Sequence, residues 1–191
     1  MKIKYMKMIL TVSLLIFSCR DINDTSKEQT DALSKTNTVQ DLNYLHFDGQ
    51  KFDKSFKILD VDNNEMDLHS IFNTPKIVLR LKEEHCSSCV NFMLKHLNEF
   101  EGKSNVVVLY AHSSRRTIKL KWMDDKLDLP VFLTERDFDD MFTGGVALVP
   151  YMFVLGADMK VSCFHFPKEG DEDSMKQYLS VVYARILSGS L

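Results

Sequence analysis

Cys86-Ser87-Ser88-Cys89 is the stretch of this 191-residue sequence whose residue types and spacing carry chemistry of their own. Two thiols separated by two residues can close a small ring with acceptable sulfur–sulfur geometry, so the pair can cycle between dithiol and disulfide. The same spacing also makes half of a zinc site. Which chemistry applies depends on the elements that carry the pair.

Upstream, Lys76-Ile77-Val78-Leu79-Arg80-Leu81 is a mainly aliphatic run with the character of a strand buried on both faces. Downstream, Cys89, Val90, Phe92, Met93, His96, Leu97 and Phe100 recur at helical spacing, and Gly102 reads as the end of that helix. The motif therefore sits where a buried strand feeds a helix. There, unpaired backbone N–H groups and the helix dipole favour an anion. That placement lowers the pKa of Cys86 and makes it the expected nucleophile, because the thiolate is the attacking species. Cys89, one turn further in and on the apolar face, is placed to resolve a mixed disulfide from within. His85, if protonated, would favour the thiolate, whereas Glu83 and Glu84 oppose it. Arg80, six residues before Cys86, either favours the thiolate or points out at the strand end.

The flanking elements follow from pattern. Phe56 to Val61 and Met66 to Leu68, around the turn cluster Asp62 to Glu65, read as a β-hairpin. Val106 to Tyr110 is a second buried strand, and Ser113 or Ser114 caps a helix running to about Met123. Pro130 to Leu133 is a short strand, and Asp137 to Phe142 a short helix whose acids suit its N-terminus. Tyr151 to Leu155 and Val161 to Phe166 form a terminal hairpin. Met175, Tyr178, Leu179, Val182, Tyr183, Ile186 and Leu187 mark a closing amphipathic helix. Alternating strands and helices argue for an α/β sandwich with helices on both sheet faces.

Composition agrees. With 45% hydrophobic and 27% charged residues, 7 Gly and 4 Pro, the chain is typical of one soluble globular domain, not of a collagen-like, mucin-like or disordered one. Twenty-four Lys and Arg against 27 Asp and Glu leave no basic excess, so no nucleic-acid partner is expected.

Cys19 belongs to a different segment. Lys2, Lys4 and Lys7 precede an apolar run from Met8 to Phe17 that is too short to span a bilayer but suits a signal-peptide core. Leu15-Ile16-Phe17-Ser18-Cys19 resembles a bacterial lipoprotein signal, which implies cleavage after residue 18 and lipidation of Cys19. Cleavage removes three lysines and makes the mature chain three charges more acidic than the formal −3 of the whole. Residues 19–43 are polar and lack periodicity, as a flexible tether would, with a span of about 25–30 Å. The folded domain is expected over 44–191.

From about Phe52 to Leu191 the chain resembles the thioredoxin fold, in particular the TlpA/ResA-like membrane-anchored thiol-disulfide oxidoreductases. The resemblance rests on FKILDVDNNEMDL, then KIVLRLKEEHCSSCV, then Val149-Pro150 just before a core strand. It implies a three-layer α/β sandwich with a mixed central sheet, helices on both faces and an N-terminal β-hairpin extension. Cys86 and Cys89 would be the catalytic pair. Pro150 would be a cis proline facing them, with Val149 offering its backbone to a polypeptide substrate. The partners implied are protein thiols and disulfides and a membrane electron donor. The place implied is the bacterial cell envelope, lipid-anchored and periplasm-facing, with reduction as the direction of flow. No cofactor beyond the redox-active Cys86–Cys89 pair and no metal is expected. Where relatives carry Trp before the first cysteine and often Pro before the second, this chain has His85 and Ser88.

Cys163 and His165 could complete a zinc site with Cys86 and Cys89. In this fold, however, their edge strand is separated from the motif by the strand after Pro150, and Cys163 reads as a small buried hydrophobe. His112 could join the thiols in a copper-delivery site. The rival functions are a thiol peroxidase, a metal-delivery protein, and a binding or assembly lipoprotein with a structural disulfide.

Overall fold

The computed structural model describes residues 49–53, 55–111, 113–135 and 149–189. The expected signal, Cys19, the tether, His112 and the helix of Asp137 to Phe142 lie outside these.

Seven strands form one mixed sheet in the order β2-β1-β5-β4-β3-β6-β7. They are β1 (Ile58–Leu59), β2 (Glu65–Met66), β3 (Lys76–Lys82), β4 (Val106–Ala111), β5 (Val131–Thr134), β6 (Tyr151–Leu155) and β7 (Val161–His165). Strands β3, β4 and β5 run parallel, while β1, β2, β6 and β7 pair antiparallel to their neighbours. The helices are α1 (Leu68–Ile71), α2 (Ser87–Asn98), α3 (Arg115–Asp124) and α4 (Glu172–Ser188).

Alternation along β3 divides the core. Ile77, Leu79 and Leu81 pack with Val90, Met93, Leu94 and Leu97 of α2, Ile118 of α3, and Met175, Leu179 and Val182 of α4. Val78 packs the other way, with Phe52, Phe56, Leu68 and Phe72, and with Tyr151 and Phe153 of β6. Residues adjacent in a strand point to opposite faces: Ile77, Leu79 and Leu81 make one face of β3 wholly aliphatic, whereas Val78 shares the other with the buried Arg80 and Lys82. Each fully buried aliphatic or aromatic side chain here contributes about 1.5–3 kcal/mol relative to exposure.

The β1–β2 hairpin turns on Asp60. Its Oδ1 accepts from the N–H groups of Asp62 and Asn64, both at 2.8 Å, and Asn63 takes φ 74°. Asn tolerates that left-handed backbone better than most residues. Residues 49–53 run along the outer edge of β7, with Lys51 bridging Lys160.

Two local expectations change. Met66 to Leu68 is not a continuous strand: Asp67 caps α1, its Oδ1 accepting from His69 N–H at 3.1 Å. Asp in that position satisfies a helix donor more readily than a ladder. Gly102 does not end α2, which closes at Asn98 with φ of Gly102 at −84°. Gly102 is buried where a Cβ would lie 2.7 Å from ring carbons of both Phe100 and Tyr183, so glycine is needed there for the close approach of α4. No helix among the described residues is long and apolar enough to cross a membrane.

Candidate active site

β3 ends at Lys82, Glu83 to His85 make a turn closed by His85 N–H to Lys82 O at 3.3 Å, and α2 begins. Cys86 is the residue that caps the helix: its carbonyl accepts from Val90 N–H at 3.0 Å, while its side chain makes no capping bond. The Cys86 thiol is therefore exposed at the end of the helix where N–H groups are unpaired. Cys89, one turn on, is half-buried, and both cysteines are free thiols.

The two sulfurs are electrostatically unlike. The Cys86 thiol is pulled down from 9.0 to about 7, first by the Ser88 hydroxyl, then by the backbone N–H groups of Cys89 and Ser88 and by the Cys89 thiol. The Cys89 thiol is pushed up, first by burial, then by Cys86 and by the carboxylate of Glu169. One sulfur is an exposed thiolate near neutral pH and the other a shielded thiol, as attack followed by internal resolution requires.

Two roles are not read from the sequence: Ser88 stands there only within the spacer of the motif, and Glu169 is not singled out at all. Ser88 Oγ lies 3.0 Å from Cys86 Sγ and donates to Glu169 Oε2 at 2.7 Å. The Cys89 thiol is directed at the same carboxylate oxygen at 3.8 Å. Glu169 comes from the β7–α4 connection, next to Gly170 at φ 83°. In the sequence it stands in an ordinary acidic loop, and only the closure of the sheet brings it to α2. Ser88 has one hydroxyl proton and two acceptors for it. While Cys86 is a thiol, its S–H can donate to Ser88, which donates on to Glu169. When Cys86 is a thiolate, the Ser88 proton turns to sulfur.

Arg80 does not point out at the strand end. It is fully buried, its Nη1 lies 2.9 Å from His85 Nε2, and its guanidinium carbon sits 5.3 Å from the centroid of the Tyr151 ring. Lys82 N lies 3.2 Å from His85 Nδ1. A guanidinium and a backbone N–H only donate, and a neutral imidazole has one acceptor nitrogen, so the ring accepts from Arg80 at Nε2 or from Lys82 at Nδ1 according to its tautomer, not from both together. His85 is thus held inward, 7% exposed, as an anchor of the loop before Cys86.

Tyr151 of β6 pairs with Arg80 of β3, so β6 starts at the sheet end from which Cys86 emerges. Pro150 is buried and Val149 is 38% exposed at that end. No peptide bond among the described residues is cis, so the Val149–Pro150 bond is trans, against the expectation. Trans is the default even before proline, by about 0.5–1 kcal/mol.

Cys163 lies on β7, with β6 between it and β3. It sits at an irregularity in the β6–β7 pairing, with φ 54°. Its carbonyl accepts from Tyr178 O–H at 2.9 Å, and Arg185 Nη1 approaches its sulfur at 3.5 Å. His165 stacks on Tyr178 with centroids 4.5 Å apart. Both residues thus pack against α4.

No protein-family model matches this sequence, and no curated protein does. Solved structures match the fold. A peroxiredoxin-like protein from Aquifex aeolicus is 13% identical with a TM-score of 0.50, over 69% of this chain and 85% of its own. A thiol peroxidase from Chromobacterium violaceum is 15% identical with a TM-score of 0.50, over 71% of this chain and 87% of its own. A thiol:disulfide interchange protein from Bacteroides sp. is 14% identical with a TM-score of 0.50, over 70% and 90%. The likeness is one of architecture: the sheet and its helices have a thioredoxin-like α/β fold.

Proposed function

We propose, from a thioredoxin-like fold that presents two free thiols at the start of a helix, that this protein is a thiol-disulfide oxidoreductase. The observation that carries this reading is the inequality of the pair: an exposed Cys86 thiol held at about 7 beside a shielded Cys89 held above its ordinary value.

In the reducing direction, the Cys86 thiolate attacks one sulfur of a substrate disulfide. The substrate S–S bond breaks, a substrate thiolate leaves, and Cys86 is joined to the substrate. Cys89 then gives its proton to the Glu169 carboxylate and attacks Cys86 Sγ. The Cys86–substrate bond breaks, its electron pair leaves with the second substrate sulfur, and a Cys86–Cys89 disulfide remains. Two electrons have passed from the protein to the substrate, and a thiol donor must restore the dithiol. The oxidising direction is the same sequence reversed.

The substrates proposed are extracytoplasmic protein disulfides, which would reach the site past the exposed Val149. The direction is reduction and the donor a membrane thiol protein. The N-terminal sequence supports a lipid anchor at Cys19 that holds the domain on the periplasmic side of the bacterial envelope. Turnover of insulin disulfides by the reduced chain, with thiol loss confined to Cys86 and Cys89, tests the activity. A chain whose dithiol never exchanges with insulin, glutathione disulfide or another protein disulfide is not an oxidoreductase.

A further inference from the structure

We infer that Cys86, Cys89 and Glu169 of the reduced chain form a binding site for a borderline-soft divalent cation, Zn²⁺ or Cd²⁺. The two sulfurs and a Glu169 carboxylate oxygen all lie within 4.8 Å of one another. Tetrahedral zinc holds sulfur at about 2.3 Å and carboxylate oxygen at about 2.0–2.2 Å, which puts ligand atoms about 3.3–3.8 Å apart. The three donors are thus within a side-chain adjustment of a coordination set, and no backbone rearrangement is called for.

Three further features fit. The cysteines, three residues apart at the start of α2, share one side of the helix, and Glu169 approaches from another element, so the ligands do not lie in one line. Ser88 Oγ donates to the Glu169 carboxylate at 2.7 Å, the kind of outer contact that orients a metal-binding carboxylate. Two thiolates and a carboxylate would place three negative charges in this small space, and a divalent cation relieves their repulsion. Cys86 and Glu169 are exposed and Cys89 half-buried, so a cation can enter and water can fill the fourth position. The partners considered from sequence, Cys163 and His165, pack against α4 instead; the carboxylate takes their place.

Binding requires both sulfurs as thiolates, releases to solvent whichever thiol protons are still held, and transfers no electron, since these cations are redox-inert here. Occupied, neither sulfur can attack a disulfide, so the cation holds the pair reduced and silent. That consequence rests on the exchange reading; the binding itself does not.

The test is titration of the reduced full chain with Zn²⁺ in competition with a chromophoric chelator, together with Cd²⁺ titration followed by thiolate-to-cadmium ultraviolet absorption. One cation per reduced chain is expected, with none bound once Cys86 and Cys89 are oxidised to a disulfide. Glu169→Gln should weaken binding by about tenfold or more, and Cys163→Ser should leave it unchanged. Glu169 is exposed, so the variant should unfold at the wild-type temperature, which a thermal melt checks. No binding by the reduced chain, equal affinity in Glu169→Gln, or loss of the site in Cys163→Ser each overturns the assignment. Binding by a chain that does not exchange disulfides leaves the site standing and removes its inhibitory role; exchange without binding removes the site and leaves the oxidoreductase.

Discussion

Ser88 donates a 2.7 Å hydrogen bond to Glu169, a residue 81 positions away, while its oxygen lies 3.0 Å from Cys86 Sγ. The hydroxyl thus stands between the Cys86 sulfur and a carboxylate, and its single proton bears on how strongly a Cys86 thiolate is stabilised.

The alkylation rate of Cys86 by iodoacetamide should titrate with a midpoint of about 7. Ser88→Ala should move that midpoint up, because the hydroxyl is the largest contributor to the depression. A wild-type midpoint near 9, the ordinary thiol value, would contradict both statements. The linkage has a definite sign. A depressed pKa stabilises the folded reduced chain at pH values above the unfolded thiol's value, and the gain is lost as pH falls through about 7. Relative to Cys86→Ser, the reduced wild type should therefore gain resistance to denaturant between pH 7 and 9.

Glu169→Gln keeps the shape of the side chain and removes the proton acceptor facing Cys89. The mixed disulfide at Cys86 should still form, its rate changed only through the Ser88 hydroxyl that both groups share, while its resolution by Cys89 slows by about tenfold or more. Quenched-flow mass spectrometry of the adduct measures both phases. Equal decay in the two proteins would rule out a role for the carboxylate in proton transfer.

Arg80→Met should destabilise the fold by about 2–4 kcal/mol, because it removes a fully buried guanidinium that holds His85 and sits against Tyr151. The Cys86 alkylation midpoint should stay near 7, since Arg80 is not among the groups that set it. Denaturant unfolding together with the alkylation profile separates the two effects. Unchanged stability with a raised midpoint would make Arg80 a tuner of the thiolate, not an anchor.

Gly102→Ala should cost about 1–3 kcal/mol, because the added Cβ would press on the edge-on Phe100–Tyr183 ring pair. Activity per folded molecule should be retained. Thermal unfolding checks this; a variant as stable as the wild type would mean the rings move aside freely.

What the sequence made legible were features written in local pattern. The apolar runs at Lys76 to Leu81 and Val106 to Tyr110 became β3 and β4, and the period from Met175 onward became α4, buried through Met175, Leu179 and Val182. Leu187, on the same periodic face, is 68% exposed because it lies in the last turn. Asp67 and Gly102 misled because one residue type serves two purposes: an Asp between hydrophobics can punctuate a strand or cap a helix, and a Gly after a helix can stop it or admit a neighbouring ring. Pro150 carried an expectation of a cis bond that residue type permits but does not require. Glu169 was not legible at all. Its place beside Cys89 depends on how β7 hands over to α4, and no periodicity or spacing links the two residues.

The most direct measurement is substrate trapping by Cys89→Ala. With the resolving thiol removed, the reduced variant incubated with a protein disulfide should accumulate a covalent adduct whose single linkage maps to Cys86, and dithiothreitol should release it. Absence of an adduct, or a linkage at Cys163 instead of Cys86, would contradict the assignment of Cys86 as nucleophile.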